Sequence, residues 1–142
     1  KYIGKFLDMP YIKVYEVATF YTMYNLSPVG EYFVQVCTTT PCMIRGANKL
    51  VEACKEKISE NELELSKDKK CSWMEVECLG ACVNAPMMQI NNDYYEDLDK
   101  KKTLEILDKI FKGETPKPGS YRGRINSEPE NIRKTLMDLK NA

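Results

Sequence analysis

Six cysteines and no histidine limit the chemistry that this chain can perform. Four of the cysteines form two spaced pairs: Cys37 and Cys42 are separated by four residues, and Cys78 and Cys82 by three. Paired thiolates are ligands for zinc and for iron–sulfur clusters. The absence of histidine excludes a Ser-His-Asp triad, a Cys-His protease, a His-ligated haem or zinc, and a Rieske cluster. The two pairs are therefore the candidate site.

Three interpretations of these four cysteines stay open on spacing alone. An iron–sulfur cluster would make the chain an electron carrier, whereas a structural zinc site would make it an interaction module and two disulfides would suit a secreted protein. The spacing matches neither common ferredoxin patterns nor the two-residue spacers typical of zinc ribbons. Six cysteines in 142 residues are too sparse for a disulfide scaffold. The iron–sulfur cluster is the leading interpretation.

The residues between the paired cysteines suit an iron–sulfur cluster. The threonine run 38–40 offers hydroxyl and N–H donors to sulfur, and such donors raise a cluster's reduction potential. Gly80 and Ala81 are predicted to let the backbone of the second loop approach closely. Cys42 is predicted to lie near a helix N-terminus, where the helix dipole favours the thiolate that binds metal.

The hydrophobic pattern predicts the elements that position these loops. A short amphipathic helix around residues 14–21 comes first, and the pattern then predicts a strand at Glu31–Cys37, a helix at Met43–Ile58, a polar connection at Ser59–Ser72, a strand at Trp73–Cys78, a hairpin at Gln89–Tyr95 and a helix at Lys100–Lys112. Each cysteine pair leaves the carboxyl end of a strand, so the four sulfurs converge if the strands are neighbours. This order predicts an α/β domain in which helices cover a short mixed sheet.

Four longer stretches carry a specific resemblance. They are VYEVATFYTMY at Val14–Tyr24, QVCTTTPC at Gln35–Cys42, EVECLGACVNAP at Glu75–Pro86 and YYEDL at Tyr94–Leu98. Together they resemble the thioredoxin-like [2Fe–2S] subunit of respiratory complex I, NADH:ubiquinone oxidoreductase (flavoprotein 2). The stretch GETPKPG at Gly113–Gly119 is similar to the tail of the family's mitochondrial members.

The resemblance implies a thioredoxin-like α/β fold with one [2Fe–2S] cluster held by four cysteine ligands: Cys37, Cys42, Cys78 and Cys82. It implies that residues 1–29 form a truncated N-terminal helical segment, that residues 30–112 form the [2Fe–2S] domain, and that residues 113–142 form an extended tail packing on partner subunits. The implied function is the exchange of single electrons with FMN. The FMN and the NADH site belong to a neighbouring subunit, not to this chain.

The resemblance also implies the chain's surroundings. They are the FMN/NADH-binding subunit and an adjacent iron–sulfur subunit in the peripheral arm of complex I, on the matrix side of the mitochondrial inner membrane. The chain would then be part of a proton-translocating oxidoreductase, without catalytic activity of its own. The alternatives are an equivalent subunit of an NAD-linked hydrogenase or formate dehydrogenase, and a four-cysteine zinc module.

Charge and hydropathy exclude two other kinds of partner. The 21 basic and 21 acidic residues give a formal net charge of zero, which disfavours nucleic acid because its binders carry excess positive charge. No stretch approaches the ~18 consecutive apolar residues that span a bilayer, so no membrane insertion is expected.

The remaining cysteines and the tail receive structural interpretations. Cys54 is predicted to be a core residue, and Cys71 an incidental thiol in the polar connection. Arg122 and Arg124 either anchor a neighbouring subunit or are solvated. A further helix is predicted at Asn131–Asn141.

Overall fold

The computed structural model describes residues 1–125, and the helix expected at Asn131–Asn141 lies outside them. Two N-terminal helices precede an α/β domain, and the elements in chain order are α1 (Tyr2–Phe6), α2 (Tyr11–Phe20), β1 (Tyr32–Cys37), α3 (Thr40–Ile44), α4 (Ala47–Lys57), β2 (Cys71–Val76), a 3-10 turn (Cys82–Asn84), β3 (Met88–Ile90), β4 (Asp93–Glu96), α5 (Lys100–Phe111) and β5 (Gly119–Ser120). The order of strand, helix, strand, hairpin and helix follows the expected one.

The five strands form one mixed sheet in the order β2-β1-β3-β4-β5. Strand β1 lies parallel to β2 and antiparallel to β3, and β4 lies antiparallel to β3 and parallel to β5. The turn between β3 and β4 includes Asn91 with φ of 53°, a conformation that asparagine tolerates. Because Cys37 pairs with Val76, the two cysteine-bearing loops leave the sheet side by side.

The main core lies between the sheet and helices α4 and α5. Trp73 is fully buried there, and its indole N–H donates a hydrogen bond to the Ser59 carbonyl at 2.9 Å. The apolar residues around it come from three other strands and both helices: Val34, Val36, Leu50, Cys54, Met88, Ile90, Tyr95, Ile106, Leu107 and Ile110. Burial of this set is the main favourable contribution to folding.

Two expected element boundaries are wrong. The continuous helix expected at Met43–Ile58 is two helices, α3 and α4, because Gly46 between them adopts a left-handed φ of 99° that interrupts the helix. The second strand begins at Cys71 and ends at Val76, two residues earlier at each end than expected. The residues before Cys71 are polar, so alternating hydrophobicity did not indicate that the strand begins at Cys71.

The two cysteines outside the pairs are both core residues. Cys54 on α4 is fully buried, as expected. Cys71 is fully buried as well, so its assignment to a solvated connection is wrong. Burial raises the pKa of Cys54 to about 12 and that of Cys71 to about 11, which keeps both as inert thiols at neutral pH.

The described part of the tail (residues 113–125) packs on its own domain. Gly119 and Ser120 form β5 at the edge of the sheet, a strand that the sequence pattern did not predict. Arg124 forms an ion pair with the buried Asp97 of the same chain. The two predictions for Arg124, a contact with a neighbouring subunit and a solvated side chain, did not include this pairing. Arg122 is exposed. The division of the chain at residues 29 and 112 stays a prediction.

The two N-terminal helices pack on each other and leave apolar side chains exposed. Helix α2 contains no buried residue, and Val17 and Phe20 are among its exposed apolar side chains. Among residues 1–125, no helix combines the length and the apolar character that crossing a membrane requires.

Gly30, just before β1, provides a test of how the β1–β2 pairing is held. A Cβ atom at this position would lie 2.4 Å from the Lys70 carbonyl oxygen and 2.7 Å from the Cys71 nitrogen, and both are backbone atoms that cannot rotate away. We expect Gly30→Ala to lower the free energy of unfolding by about 3 kcal/mol, at the upper end of overpacking effects. Urea unfolding of the purified protein measures this change.

Gly113→Ala is the matched control, because its Cβ would meet nothing within 4 Å and only its φ of 80° opposes the substitution. That strain costs about 1 kcal/mol. Equal destabilisation by the two variants would contradict the close approach at Gly30.

Candidate iron–sulfur centre

The first cysteine loop (residues 37–42) joins β1 to α3. Cys37 is the last residue of β1, and Cys42 lies within α3, which Pro41 helps to begin. Both thiols are almost completely buried, with 1% exposure for each residue. They lie in a second, smaller apolar group with Ala47, Ala81, Ala85 and Met87. This pair therefore sits on the inner side of the site.

The second cysteine loop (residues 78–82) follows β2 and ends at the 3-10 turn. Cys78 and Cys82 are exposed, and their sulfurs lie 3.3 Å apart. Gly80 adopts φ of 83°, but a Cβ there would meet nothing within 4 Å. The left-handed backbone conformation explains the glycine, and the close approach expected of this loop stays a prediction.

The structure brings the four paired cysteines into one site. The Cys78 and Cys82 sulfurs lie within hydrogen-bond distance, and Cys37 and Cys42 are close enough to change each other's pKa. Electrostatic interactions of Cys82 with Cys37 and Cys42 join the two pairs. The convergence expected from neighbouring strands is thus present. Cys54 and Cys71 do not take part.

The arrangement as two pairs distinguishes the possible occupants. Within residues 1–125, no three or more His, Cys, Asp or Glu side chains are grouped closely enough to hold a single metal ion. A structural zinc ion needs four ligands around one atom, whereas a binuclear cluster needs two cysteines on each of its irons. All six cysteines are free thiols. As two pairs of cysteines, the donor set fits a binuclear cluster.

The pKa values of the paired cysteines show which thiols stay protonated until a metal binds. Burial raises the pKa of Cys37, but hydrogen bonds with Thr39, Cys42 and the Leu79 backbone outweigh it, and the pKa is lowered. Burial raises the pKa of Cys42 to about 12. The hydrogen bond with Cys78 raises the pKa of Cys82. Cys42 lies near the N-terminus of α3, as expected, but burial sets the direction of its pKa, and the contribution of the helix dipole stays a prediction. A bound metal would remove these protons through its own charge.

Hydrogen-bond donors to sulfur come from both loops. The Thr39 hydroxyl lies 3.3 Å from the Cys37 sulfur, and the Gly80 N–H donates to Cys78 at 3.4 Å. The Leu79 backbone contributes to lowering the pKa of Cys37, so one loop acts on a cysteine of the other. The contact expected of the threonine run is present at Thr39, and its effect on the reduction potential stays a prediction. The cross-loop effect was not predicted, because it depends on how the two loops pack.

Residues of β4 form a further layer beneath the second loop. The Tyr94 hydroxyl donates to the Leu79 carbonyl at 2.7 Å, and the buried Asn84 amide donates to Glu96 at 2.5 Å. The Asp97 N–H donates to the Asn84 carbonyl at 2.8 Å. No role in the site was predicted for these residues. The available signal was the resemblance, because Tyr94, Glu96 and Asp97 lie in the stretch YYEDL and Asn84 lies in EVECLGACVNAP.

Residues 1–111 match the family described as thioredoxin-like [2Fe–2S] ferredoxin. Because the match covers most of the chain and agrees with the sheet and the two cysteine pairs, this protein belongs to that family. The thioredoxin-like α/β fold is confirmed, and its cofactor is one [2Fe–2S] cluster.

Curated relatives are named as subunits of NADH-quinone oxidoreductase. The protein of Rickettsia bellii is 56% identical over 110 residues, which are 78% of this chain and 66% of that relative. The protein of Rickettsia prowazekii is 51% identical over 111 residues, which are 78% of this chain and 63% of that relative. This chain thus spans slightly less than two thirds of the length of these relatives.

Solved structures share the fold. NAD+-reducing [NiFe]-hydrogenase in the H2-reduced state has a TM-score of 0.66 at 18% identity, covering 80% of this chain and 19% of that chain. The wild-type thioredoxin-like [2Fe–2S] ferredoxin of Aquifex aeolicus has a TM-score of 0.50 at 23% identity, covering 60% of this chain and 89% of that chain. At these identities the similarity establishes the fold alone.

The Thr39 hydroxyl predicts a measurable electronic effect. A cysteine bound to iron as thiolate can only accept, so the hydroxyl would donate to Cys37 and stabilise the negative charge added on reduction. We expect Thr39→Val to lower the midpoint potential by about 40 mV, which corresponds to a hydrogen bond of about 1 kcal/mol in a one-electron couple. An EPR-monitored redox titration measures the midpoint potential. Thr39→Ser keeps the hydroxyl and is the control; equal potentials for Thr39→Val and Thr39→Ser would contradict the prediction.

Proposed function

We propose that Cys37, Cys42, Cys78 and Cys82 hold the [2Fe–2S] cluster and that the chain is an electron-transfer subunit of the NADH-dehydrogenase module of respiratory complex I. The observation that carries the ligand assignment is the convergence of two free-thiol pairs from two neighbouring parallel strands. The names of the relatives that are more than 50% identical support the assignment to the module.

The protein's contribution to electron transfer lies in unequal burial. When bound, the cluster supplies one-electron oxidation and reduction. Cys37 and Cys42 hold the inner side of the site in an apolar surrounding, whereas Cys78 and Cys82 face outward. The side chains of Met43, Ile44 and Val83 next to these loops are exposed and apolar. An outward-facing pair with an apolar surrounding suits contact with an electron donor or acceptor on another chain.

The partners follow from this proposal. The neighbouring subunit would carry FMN and the NADH site, and an adjacent iron–sulfur subunit would complete the surroundings in the peripheral arm. The location would be the matrix side of the mitochondrial inner membrane, within a proton-translocating enzyme. This chain would not oxidise NADH by itself, because NADH gives up a hydride with two electrons, whereas the cluster exchanges single electrons. A corresponding role in an NAD+-reducing hydrogenase is the alternative, for which the fold similarity is the support.

Cysteine substitutions test the ligand assignment. We expect single Cys→Ser changes at Cys37, Cys42, Cys78 and Cys82 each to remove or strongly alter the visible absorption and to reduce bound iron from about two atoms per chain by half or more. Cys54→Ala and Cys71→Ala are the controls, because both thiols are buried away from the site. They should lose stability by about 1 to 2 kcal/mol, as small core truncations do, but keep the wild-type spectrum.

The metal content of the purified protein decides between the cluster and zinc. Iron and sulfide in equal amounts, with an EPR signal that appears only after reduction, would agree with the binuclear assignment. A colourless protein with one zinc per chain would overturn it.

Electron exchange with flavin tests the proposed partner. We expect anaerobic NADH to leave the EPR spectrum of the purified chain unchanged and to produce the reduced-cluster signal once the FMN-containing subunit is added. Reduction of the chain by NADH without that subunit would contradict the assignment. Affinity purification from the native source gives an independent result: hydrogenase subunits in place of complex I subunits would favour the alternative.

A further inference from the structure

The carboxylate of Asp97, at the end of β4, is completely buried and fully paired. The Arg124 guanidinium binds both of its oxygens, with Nη2 donating to Oδ1 and Nε donating to Oδ2 at 3.2 Å. The Ser120 hydroxyl donates to Oδ2 at 2.5 Å. Burial opposes ionisation of Asp97, but the hydrogen bonds from Arg124 and Ser120 outweigh it and lower its pKa. The group is thus a buried ion pair whose partners come from β4 and the tail.

The same guanidinium also reaches the second cysteine loop. Its Nη2 donates to the Val83 carbonyl at 3.0 Å, and Val83 directly follows Cys82 in the 3-10 turn. The Asp97 N–H donates to the carbonyl of the next residue, Asn84. Asp97 and Arg124 therefore hold two successive carbonyl groups immediately after Cys82. We call Asp97, Ser120 and Arg124 the tail clasp.

The backbone that carries Cys82 is held partly by the 3-10 turn itself, in which the Asn84 N–H donates to the Ala81 carbonyl at 3.1 Å and the Ala85 N–H to the Cys82 carbonyl at 3.3 Å. Cys82 and Val83 are exposed, so apolar packing does not fix the backbone that carries this thiol. Polar contacts from outside the turn add to its own hydrogen bonds, and the clasp contributes the one to the carbonyl of Val83, the residue after Cys82. Arg124 is suited to this, because a guanidinium has five donors and can serve a carboxylate and a carbonyl at once.

The clasp lies partly outside the region that defines the family. The family match ends at residue 111, whereas Ser120 and Arg124 lie beyond it. A role in the site for these two residues is thus additional to what membership of the family assigns.

We propose that Arg124 is a positioning residue for the iron–sulfur cluster: oriented by Asp97 and Ser120, it fixes the Val83 carbonyl and so the direction of the Cys82 thiol. The proposal rests on the assignment of Cys82 as a ligand. Loss of Arg124 frees the end of the second cysteine loop, and the iron held there is released more readily and has altered ligand geometry. Outer contacts of this kind change metal affinity by about 10–100-fold.

The test uses the cluster-containing full chain and three readouts: the rate of iron release to a chelator, the EPR g-values after reduction, and the midpoint potential. Arg124→Gln should accelerate iron release about tenfold and shift the g-values. Arg122→Gln removes the same charge from an exposed neighbouring position and should match wild type. Unfolding of the cluster-free chain is followed alongside, as the measure of fold stability.

Two further variants separate positioning from folding. Arg124→Gln leaves Asp97 as an unpaired buried charge, which destabilises proteins strongly, so the double variant Asp97→Asn with Arg124→Gln removes both charges. Arg124→Lys restores a cation for Asp97 but lacks the forked donors needed to bind Val83 as well. Both variants should regain fold stability while iron release stays fast and the g-values stay shifted.

The outcomes distinguish the proposal from the ligand assignment. If stability falls in Arg124→Gln but iron release, g-values and potential stay at wild-type values in all arginine variants, Arg124 anchors only the tail and the proposal is wrong. If Cys82→Ser leaves the wild-type spectrum unchanged, the ligand assignment itself is wrong, whatever the arginine variants show.

Discussion

The site depends on the parallel pairing of β1 with β2. Because Cys37 lies opposite Val76, the chain needs only two more residues after β2 to bring Cys78 to the same edge of the sheet. The register also determines the face. Val34 and Val36 point into the main core, whereas Cys37 lies in the smaller apolar group with Cys42. A slip by one residue would exchange these faces, exposing the valines to the site and burying Cys37 among the helices.

Given this pairing, the two loops meet different requirements of an electron carrier: the first protects the site and the second gives a partner access to it. The first loop is buried and its cysteines have hydrogen-bond donors nearby. Both features keep water away from the ligands and limit their loss. The second loop is exposed, so its cysteines are accessible to a partner, and its backbone is held mainly by polar contacts, including that of Tyr94 with Leu79. Burial of all four thiols would hinder electron exchange with another chain, whereas exposure of all four would leave the proposed cluster unprotected from solvent.

The sequence predicted the parts of the structure that depend on local pattern. Strand β1 is apolar and β-branched, the hairpin turn includes Asn91, and Gly113 ends α5 with φ of 80°. The break at Gly46 was missed, because its flanks continue an apolar helical pattern. The burial of Cys71 was missed because charged residues precede it. The pairing of Asp97 with Arg124 joins positions 27 residues apart, and no periodicity along the chain encodes such a contact.

The tail shows that a segment with the composition of a linker can belong to the sheet. A proline- and glycine-rich segment after the last helix is typical of a linker, yet Gly119 and Ser120 extend the sheet by pairing with Tyr95 and Glu96 of β4. Asp97 directly follows β4, and its carboxylate binds Ser120 and Arg124. The contacts that dock the tail therefore involve the strand that supports the second cysteine loop. Because one set of hydrogen bonds serves both purposes, docking of the tail and order in the loop are coupled through β4.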